Sequence, residues 1–236
     1  SELYFRGKKN IAVFDTSFHQ TMPKVAYIYA LPERLCREYK IRKYGFHGIS
    51  HSYISKKTSG LLERESVNMI SFHLGAGSSV CAIKDGKSVD TSMGFTPLEG
   101  LVMNNRPGDL DAGVILHLLR SGWTLSEVEQ CLNKESGTFG ISGMNCGMKG
   151  IVEKSITSEE GAENAKLAVD VFAYRARKYL GAYWFVLDGN VDAVSFTGGI
   201  GGTSPVVREK ILSGLEKFGL KIDPKKNNET VDVEGE

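Results

Sequence analysis

Asn68-Met69-Ile70-Ser71-Phe72-His73-Leu74-Gly75-Ala76-Gly77-Ser78-Ser79-Val80-Cys81-Ala82-Ile83-Lys84-Asp85-Gly86-Lys87 is the stretch that decides the fold. An apolar run of strand length breaks at glycines, a second β-rich run follows, and that run meets Asp85-Gly86. Asp-Gly is a strong two-residue hairpin signal, because a type I′ turn needs left-handed backbone at both central positions. The segment predicts strands over 68–74, 79–84 and 87–91. Outward from it, 49–62 reads as a helix with Ser50 or Ser52 as its cap. Residues 114–119 and 125–132 have helical apolar spacing, and 165–187 reads as a long helix rich in apolar and aromatic side chains, a face for core or subunit packing. Val191 to Phe196 reads as another buried strand, followed by a Gly198-Gly199-Ile200-Gly201-Gly202 loop and a helix over 204–218. Ile11 to Phe14 reads as a buried strand that delivers Asp15 and His19 together at its end. The polar stretch 225–236 reads as loop or frayed end. Strands alternating with helices predict an α/β protein.

Composition bounds the function. The chain has 236 residues, 41% hydrophobic and 24% charged, with a formal net charge of +1. That balance argues against general attraction to nucleic acid or membrane. Cys36, Cys81, Cys131 and Cys146 are far apart with no CxxC spacing, which favours reduced thiols in a cytoplasmic setting over disulfides or a zinc site. No secretory signal and no apolar run of membrane-spanning length is expected. Residues 1–8 resemble a cleaved-tag remnant or linker, leaving 9–236 as the folded unit.

Two strands end in glycine-rich turns, His73-Leu74-Gly75-Ala76-Gly77 and Thr197-Gly198-Gly199-Ile200-Gly201-Gly202-Thr203. Glycines let backbone N–H groups approach phosphate oxygens, and a helix opening at Ser204 adds partial positive charge. Neither turn has P-loop or dinucleotide-fold spacing. Each is also compatible with a simple connection between elements. Asp15 is compatible with a turn role, and His19 with a surface imidazole.

The residues converge further. Asp15-Thr-Ser-Phe-His-Gln-Thr-Met-Pro23, Tyr44-Gly-Phe-His-Gly-Ile-Ser-His51, His73-Leu-Gly-Ala-Gly77 and Asp90-Thr-Ser-Met-Gly-Phe-Thr-Pro-Leu-Glu-Gly100 occur in this order. Arg106-Pro-Gly-Asp-Leu-Asp111, Leu132-Asn-Lys-Glu-Ser-Gly137, Gly140-Ile-Ser-Gly143 and Phe196-Thr-Gly-Gly-Ile-Gly201 follow. In order and spacing they resemble the acetate kinase family, from Ile11 to about Asn228. The resemblance implies the C-terminal lobe of a two-lobed protein: a ribonuclease-H-like α/β lobe of the actin, Hsp70 and sugar kinase type, with a mixed sheet flanked by helices. It implies reversible phosphoryl transfer between ATP and acetate with Mg2+. It assigns His47 and Arg106 to stabilising the phosphoryl group, and Asp15 to catalysis close to the magnesium. By the same resemblance His73, Leu74, Gly75, Ala76 and Gly77 bind phosphate. Gly147, Met148, Lys149, Gly199, Ile200, Gly201, Gly202 and Thr203 lie where the family binds nucleotide. A homodimer using the 165–187 helix is implied as well. His19 is expected to support the site, His51 to be structural and His117 to be inert. Residue by residue, His47 is also compatible with a packed turn histidine, and Arg106 with an ion pair to Asp109 or Asp111.

The departures matter too. Cys146-Gly147-Met148-Lys149-Gly150 stands where the family has Asn-Asp-Met-Arg-Asp, and Gly202-Thr203 where it has Glu-Asn. Ala76 replaces an asparagine, and Asn104, Asn105 and Pro107 replace Gly, Thr and Ser. Nothing matches the family's N-terminal lobe or its final segment. The expectation is therefore an acetate kinase-type enzyme whose isolated chain is impaired. The alternatives are a non-catalytic dimerisation or binding module, a propionate or butyrate kinase, and a relative using pyrophosphate.

Overall fold

The computed structural model describes Tyr4 and residues 7–229. Most of the 1–8 stretch and residues 230–236 lie outside the described residues. Strands β1 (Met69–Leu74), β2 (Ser78–Lys84), β3 (Lys87–Thr91) and β4 (Ala193–Thr197) form one sheet in the order β3-β2-β1-β4. β1–β2 and β2–β3 are antiparallel, whereas β4 joins β1 in parallel. The sheet is thus mixed and the protein α/β, as expected of a ribonuclease-H-like lobe. Asp85 and Gly86 both have positive φ, at 49° and 73°, the backbone of the I′ hairpin the sequence predicts.

Helices fill the intervals: α1 (Lys24–Tyr27), α2 (Glu33–Glu38), α3 (Gly48–Leu61), α4 (Ala112–Arg120), α5 (Leu125–Gln130), α6 (Gly137–Ser142) and α7 (Gly147–Ser155). After these come α8 (Ala162–Val186), α9 (Gly198–Thr203), α10 (Pro205–Leu212) and α11 (Pro224–Glu229). Side chains alternate across a strand, so Ile70, Phe72 and Leu74 share one face of β1. They join Val80 and Ala82 of β2 in a core covered by α8. Along α8, Ala165, Ala168, Phe172, Ala176, Leu180 and Tyr183 recur at helical spacing and are buried. The alanines allow close approach, and Phe172 supplies roughly 2–3 kcal/mol of burial. The opposite face of β1 carries Met69, Ser71 and His73 towards α3.

Several expectations are corrected. Ile11 to Phe14 is neither strand nor buried. Ile11, Val13 and Phe14 are largely exposed, because no strand among the described residues pairs with them. α3 is preceded not by a serine cap but by His47, whose φ of 56° is left-handed. The glycine segment after β4 is a helix, not a loop. A Cβ at Gly198 would lie 2.7 Å from Leu74 O, and Gly201 packs on Phe196 and Leu74, so these glycines let α9 sit against β1. The carbonyls that end α9 are taken by Arg208, which donates to Gly201 O and Gly202 O at 2.7 Å. β4 is half-buried, as an edge strand is, and begins at Ala193. The helix expected to 218 ends at Leu212, ahead of Gly214 with φ 74°. The tail is helical over Pro224–Glu229, where Asn227 is buried and bonded to Arg208.

Candidate active site

The site begins on the polar face of β1. Ser79 of β2 lies directly opposite His73, and both look towards α3. His47 enters there from the turn before α3. Gly48 N donates to Asp15 O at 2.8 Å, and His47 N donates to the Asp15 carboxylate (Oδ2) at 2.7 Å. Ile49 N approaches the other carboxylate oxygen at 3.5 Å. Asp15 therefore anchors the unsatisfied amides that start α3, which caps a helix and places a carboxylate at its positive end. Gly48 is required by this docking, since a Cβ there would lie 2.3 Å from Asp15 O.

Four imidazoles cluster around this turn. His47 and His73 have ring centroids 4.1 Å apart, and His51 lies 6.5 Å from His73 and His19 5.9 Å from His51. Burial lowers the pKa of each. His47 is pushed down to about 4, first by burial and then by His73. His51, fully buried, lies well below its ordinary value, and His19 and His73 are also lowered by burial. All four are neutral at pH 7. His19 bonds Ser88 Oγ at 2.8 Å and Phe46 O at 2.9 Å, which holds the loop bearing His47.

Arg106 reaches the same point from the other side. A Cβ at Gly77 would lie 3.6 Å from His47 Nε2 and 3.9 Å from Arg106 Nη1, so the two donors converge over a bare glycine. Arg106 pairs with neither nearby acid. Asp109 is held by Arg175 and Tyr179, and Asp111 caps α4. Gly137, with φ 68°, holds the loop. A Cβ there would strike Met103 O at 2.2 Å, and Ser136, Thr138 and Phe139 donate to Asn105, Met103 and Asn104. Asp15, His47, Gly77 and Arg106 share a cleft of about 520 Å³ with Asn133 and Lys134.

A second cleft, of about 760 Å³, meets the first at Ala76. Gly75, Ala76, Gly147, Met148, Lys149, Gly199, Ile200 and Thr203 line it, so segments far apart in sequence come together as one hollow. Leu74 points into the core, Gly201 is buried against β1, and Gly202 and His73 are not part of this lining. Asn104 and Lys134 escape sequence reasoning as site residues. Asn104 Oδ1 is buried at the second cleft with no hydrogen-bond partner among the described residues, and Lys134 brings a cation to the first. Lys134 lies in a quoted motif, Leu132-Asn-Lys-Glu-Ser-Gly137, which is the signal that points to it.

Residues 2–235 match the model of the acetokinase family. The chain belongs to that family. It is 53% identical over 224 residues to an acetate kinase of Caldicellulosiruptor saccharolyticus, spanning 94% of this chain and 55% of that protein. An acetate kinase of Dictyoglomus turgidum is 50% identical over 94% of this chain and 54% of its own length. Among solved structures, a propionate kinase from Francisella tularensis subsp. tularensis SCHU S4 superposes with a TM-score of 0.87 at 42% identity, covering 92% of this chain and 56% of that one. Porphyromonas gingivalis acetate kinase gives 0.87 at 40% identity, covering 93% and 55%. The chain thus spans about half the length of the curated relatives it matches.

For an acetokinase the metal to test is magnesium. Among the described residues no group of three or more His, Cys, Asp or Glu side chains is arranged to hold a metal. Asp15 stands as a single carboxylate in the first cleft, with one oxygen engaged only at 3.5 Å. That donor set fits magnesium held by one carboxylate, waters and substrate phosphates.

Proposed function

We propose that this chain carries the phosphoryl-holding half of an acetate kinase-type phosphotransferase, moving a phosphoryl group reversibly between ATP and acetate. The observation that carries the reading is the convergence of His47 Nε2 and Arg106 Nη1 over Gly77 in the first cleft, one residue from Ala76, where the second cleft meets it. Phosphoryl transfer demands positioning and electrostatic stabilisation of a planar, charged group more than covalent chemistry. Arg106 supplies a planar fork of donors for its oxygens. His47 adds a neutral donor with no second charge beside Arg106. Gly75–Gly77 brings backbone amides close, and the cleft lined by Gly147–Lys149, Gly199, Ile200 and Thr203 takes the nucleotide. Acetate is already ionised at neutral pH, so Asp15 has no proton to remove. Asp15 would hold magnesium, which when bound neutralises phosphate charge.

A propionate acceptor is the second reading, favoured by the 42% identical propionate kinase. We also read the outer face of α8 as a homodimer surface in a cytoplasmic enzyme. Phe185 is 82% exposed and Tyr174 66% exposed, and an apolar groove of about 680 Å³ lies beside Trp184 and Phe185. Sedimentation of the chain and of Phe185→Ser would test this, with loss of the dimer expected in the variant.

The functional test is acyl phosphate formation trapped as hydroxamate, with ATP, magnesium and acetate or propionate. Turnover by this chain is expected about 100-fold or more below that of a full-length relative, because the acceptor must be positioned against the phosphoryl group. ATP is expected to bind more weakly than roughly 1 μM, given Gly147, Lys149, Gly202 and Thr203. Amide shifts at Gly75–Gly77 and Gly147–Lys149 on adding ATP support the reading. Their absence at millimolar ATP points to a non-catalytic module, and shifts with pyrophosphate alone point to that donor.

A further inference from the structure

The four histidines are not only clustered, because serines wire two of them together. Ser79 Oγ lies 2.9 Å from His47 Nδ1 and 2.8 Å from His51 Nε2, and His51 Nδ1 lies 3.0 Å from Ser71 Oγ. Ser71, Ser79 and His51 are fully buried, so among the described residues their side-chain polar atoms have only one another and His47 Nδ1. We propose that Ser71, His51 and Ser79 form a hydrogen-bond relay that fixes His47 as the tautomer whose Nε2 carries the proton and donates into the phosphoryl cleft.

The direction follows from counting donors. Among the described residues the Ser71 hydroxyl has one partner, His51 Nδ1. A buried O–H must find an acceptor, so Ser71 donates and His51 Nδ1 accepts. His51 is enclosed by hydroxyls with no carboxylate bonded to it, and is neutral, so its single proton sits on Nε2 and is given to Ser79 Oγ. Ser79 then has its own O–H left, and its other partner is His47 Nδ1. His47 Nδ1 accepts, and its proton is on Nε2, the atom facing Gly77 beside Arg106. Run the other way, the chain would leave Ser71 O–H without an acceptor and present a lone pair to the phosphoryl oxygens, which repel it. The reversed arrangement is therefore disfavoured by about tenfold or more. In this account Ser71, His51 and Ser79 are positioning residues, acting only through His47, as a partner on one imidazole nitrogen sets the role of the other. The functional consequence rests on the proposed phosphoryl role of His47, whereas the tautomer itself does not.

The test is long-range 1H–15N correlation on the chain carrying 15N-labelled histidine, with His47 assigned by loss of its signals in His47→Gln. The expected native signature is a protonated Nε2 and an acceptor-type Nδ1 for His47, and the same tautomer for His51. Ser79→Ala cuts the relay, so the His47 pattern should move towards a tautomer mixture while His51 stays folded and neutral. Ser71→Ala removes the anchor and should loosen both. Ser79→Thr, which keeps the hydroxyl, should restore the His47 pattern. A native His47 protonated on Nδ1, or a His47 signature unchanged in both alanine variants, overturns the proposal. If a variant fails to fold, the native spectrum alone still decides. The relay with no acyl phosphate formed would sink the proposed activity and leave the tautomer standing. Turnover with the wrong native tautomer would do the reverse.

Discussion

Gly48→Ala separates local propensity from docking geometry. Alanine is the better helix former by about 1 kcal/mol, so propensity alone predicts a more stable protein. The structure predicts the opposite. A Cβ at Gly48 would sit 2.3 Å from Asp15 O and 3.1 Å from Phe18 Cβ, and the first contact is with backbone that cannot rotate away. Relief requires the 15–18 turn to retreat from α3. That retreat breaks Gly48 N–H to Asp15 O, worth about 0.5–1.5 kcal/mol, and His47 N–H to the Asp15 carboxylate, worth about 1.5–3 kcal/mol. Less the propensity gain, the net loss is roughly 1–3.5 kcal/mol. For a chain of this size that lowers Tm by roughly 2–14 °C. Gly60→Ala is the internal control. It lies in the same helix, and its added Cβ meets nothing within 4 Å. Thermal unfolding followed by circular dichroism should show Gly60→Ala level or slightly stabilised and Gly48→Ala clearly destabilised. A Gly48→Ala protein that melts at or above the parent temperature would refute the docking of Asp15 against α3.

Three further outcomes follow from the same physics. His19 and His51 have folded pKa values depressed by burial below the ordinary 6.5, so near and below that pH the unfolded chain binds protons that the native chain refuses. Their contribution is present above pH 6.5 and lost as pH falls, with a slope of up to about 1.4 kcal/mol per pH unit for each. Tm should be flat from pH 8 to 7 and drop by pH 5.5, and a constant Tm over that span would count against neutral burial. Arg208→Ala strips Gly201 O, Gly202 O and Asn227 of their donors, and should cost about 2–4 kcal/mol in urea unfolding and raise amide exchange in α9 and α11. Exchange unchanged from the parent in both helices would sink that account. Alkylation at pH 8 should modify exposed Cys146 in the native protein and Cys81 only after unfolding, because Cys81 is buried and its thiol is pushed up to about 12. Native-state labelling of Cys81 would contradict its place in β2.

The sheet was legible because its signals are local. The apolar run in Met69–Leu74, β-branched and apolar residues in β2, and Asp85-Gly86 each determine backbone over a few residues. Ile11–Phe14 misled because an apolar run specifies a strand only when another strand supplies hydrogen bonds, and composition cannot say whether one does. The glycine run after β4 misled for a related reason. Glycine weakens a helix by about 1 kcal/mol per residue, yet here close approach to Leu74 and capping by Arg208 are non-local compensations. In the site, Asp15, His47 and Arg106 could be picked out by motif. Ser71 and Ser79 could not, since a serine in a strand carries no signal until the facing helix shows which imidazoles it meets.

That difference bears on how the candidate site is built. The proposed phosphoryl role calls for positive charge in the cleft, yet adjacent cations repel and must be separated or reduced in number. Here Arg106 and Lys134 carry the positive charge and Asp15 the negative, while the remaining donor facing Gly77 is an uncharged imidazole. Keeping that imidazole neutral requires burial, and burial removes the water that would otherwise satisfy its inner nitrogen. A hydroxyl must take the place of that water, and it must itself be satisfied by something that neither adds charge nor opens a path to solvent. Ser79, His51 and Ser71 meet the requirement in sequence, each a neutral group that both donates and accepts. The polar face of β1 and β2, which would be a liability in an ordinary core, is thus the support that lets a neutral histidine stand beside an arginine.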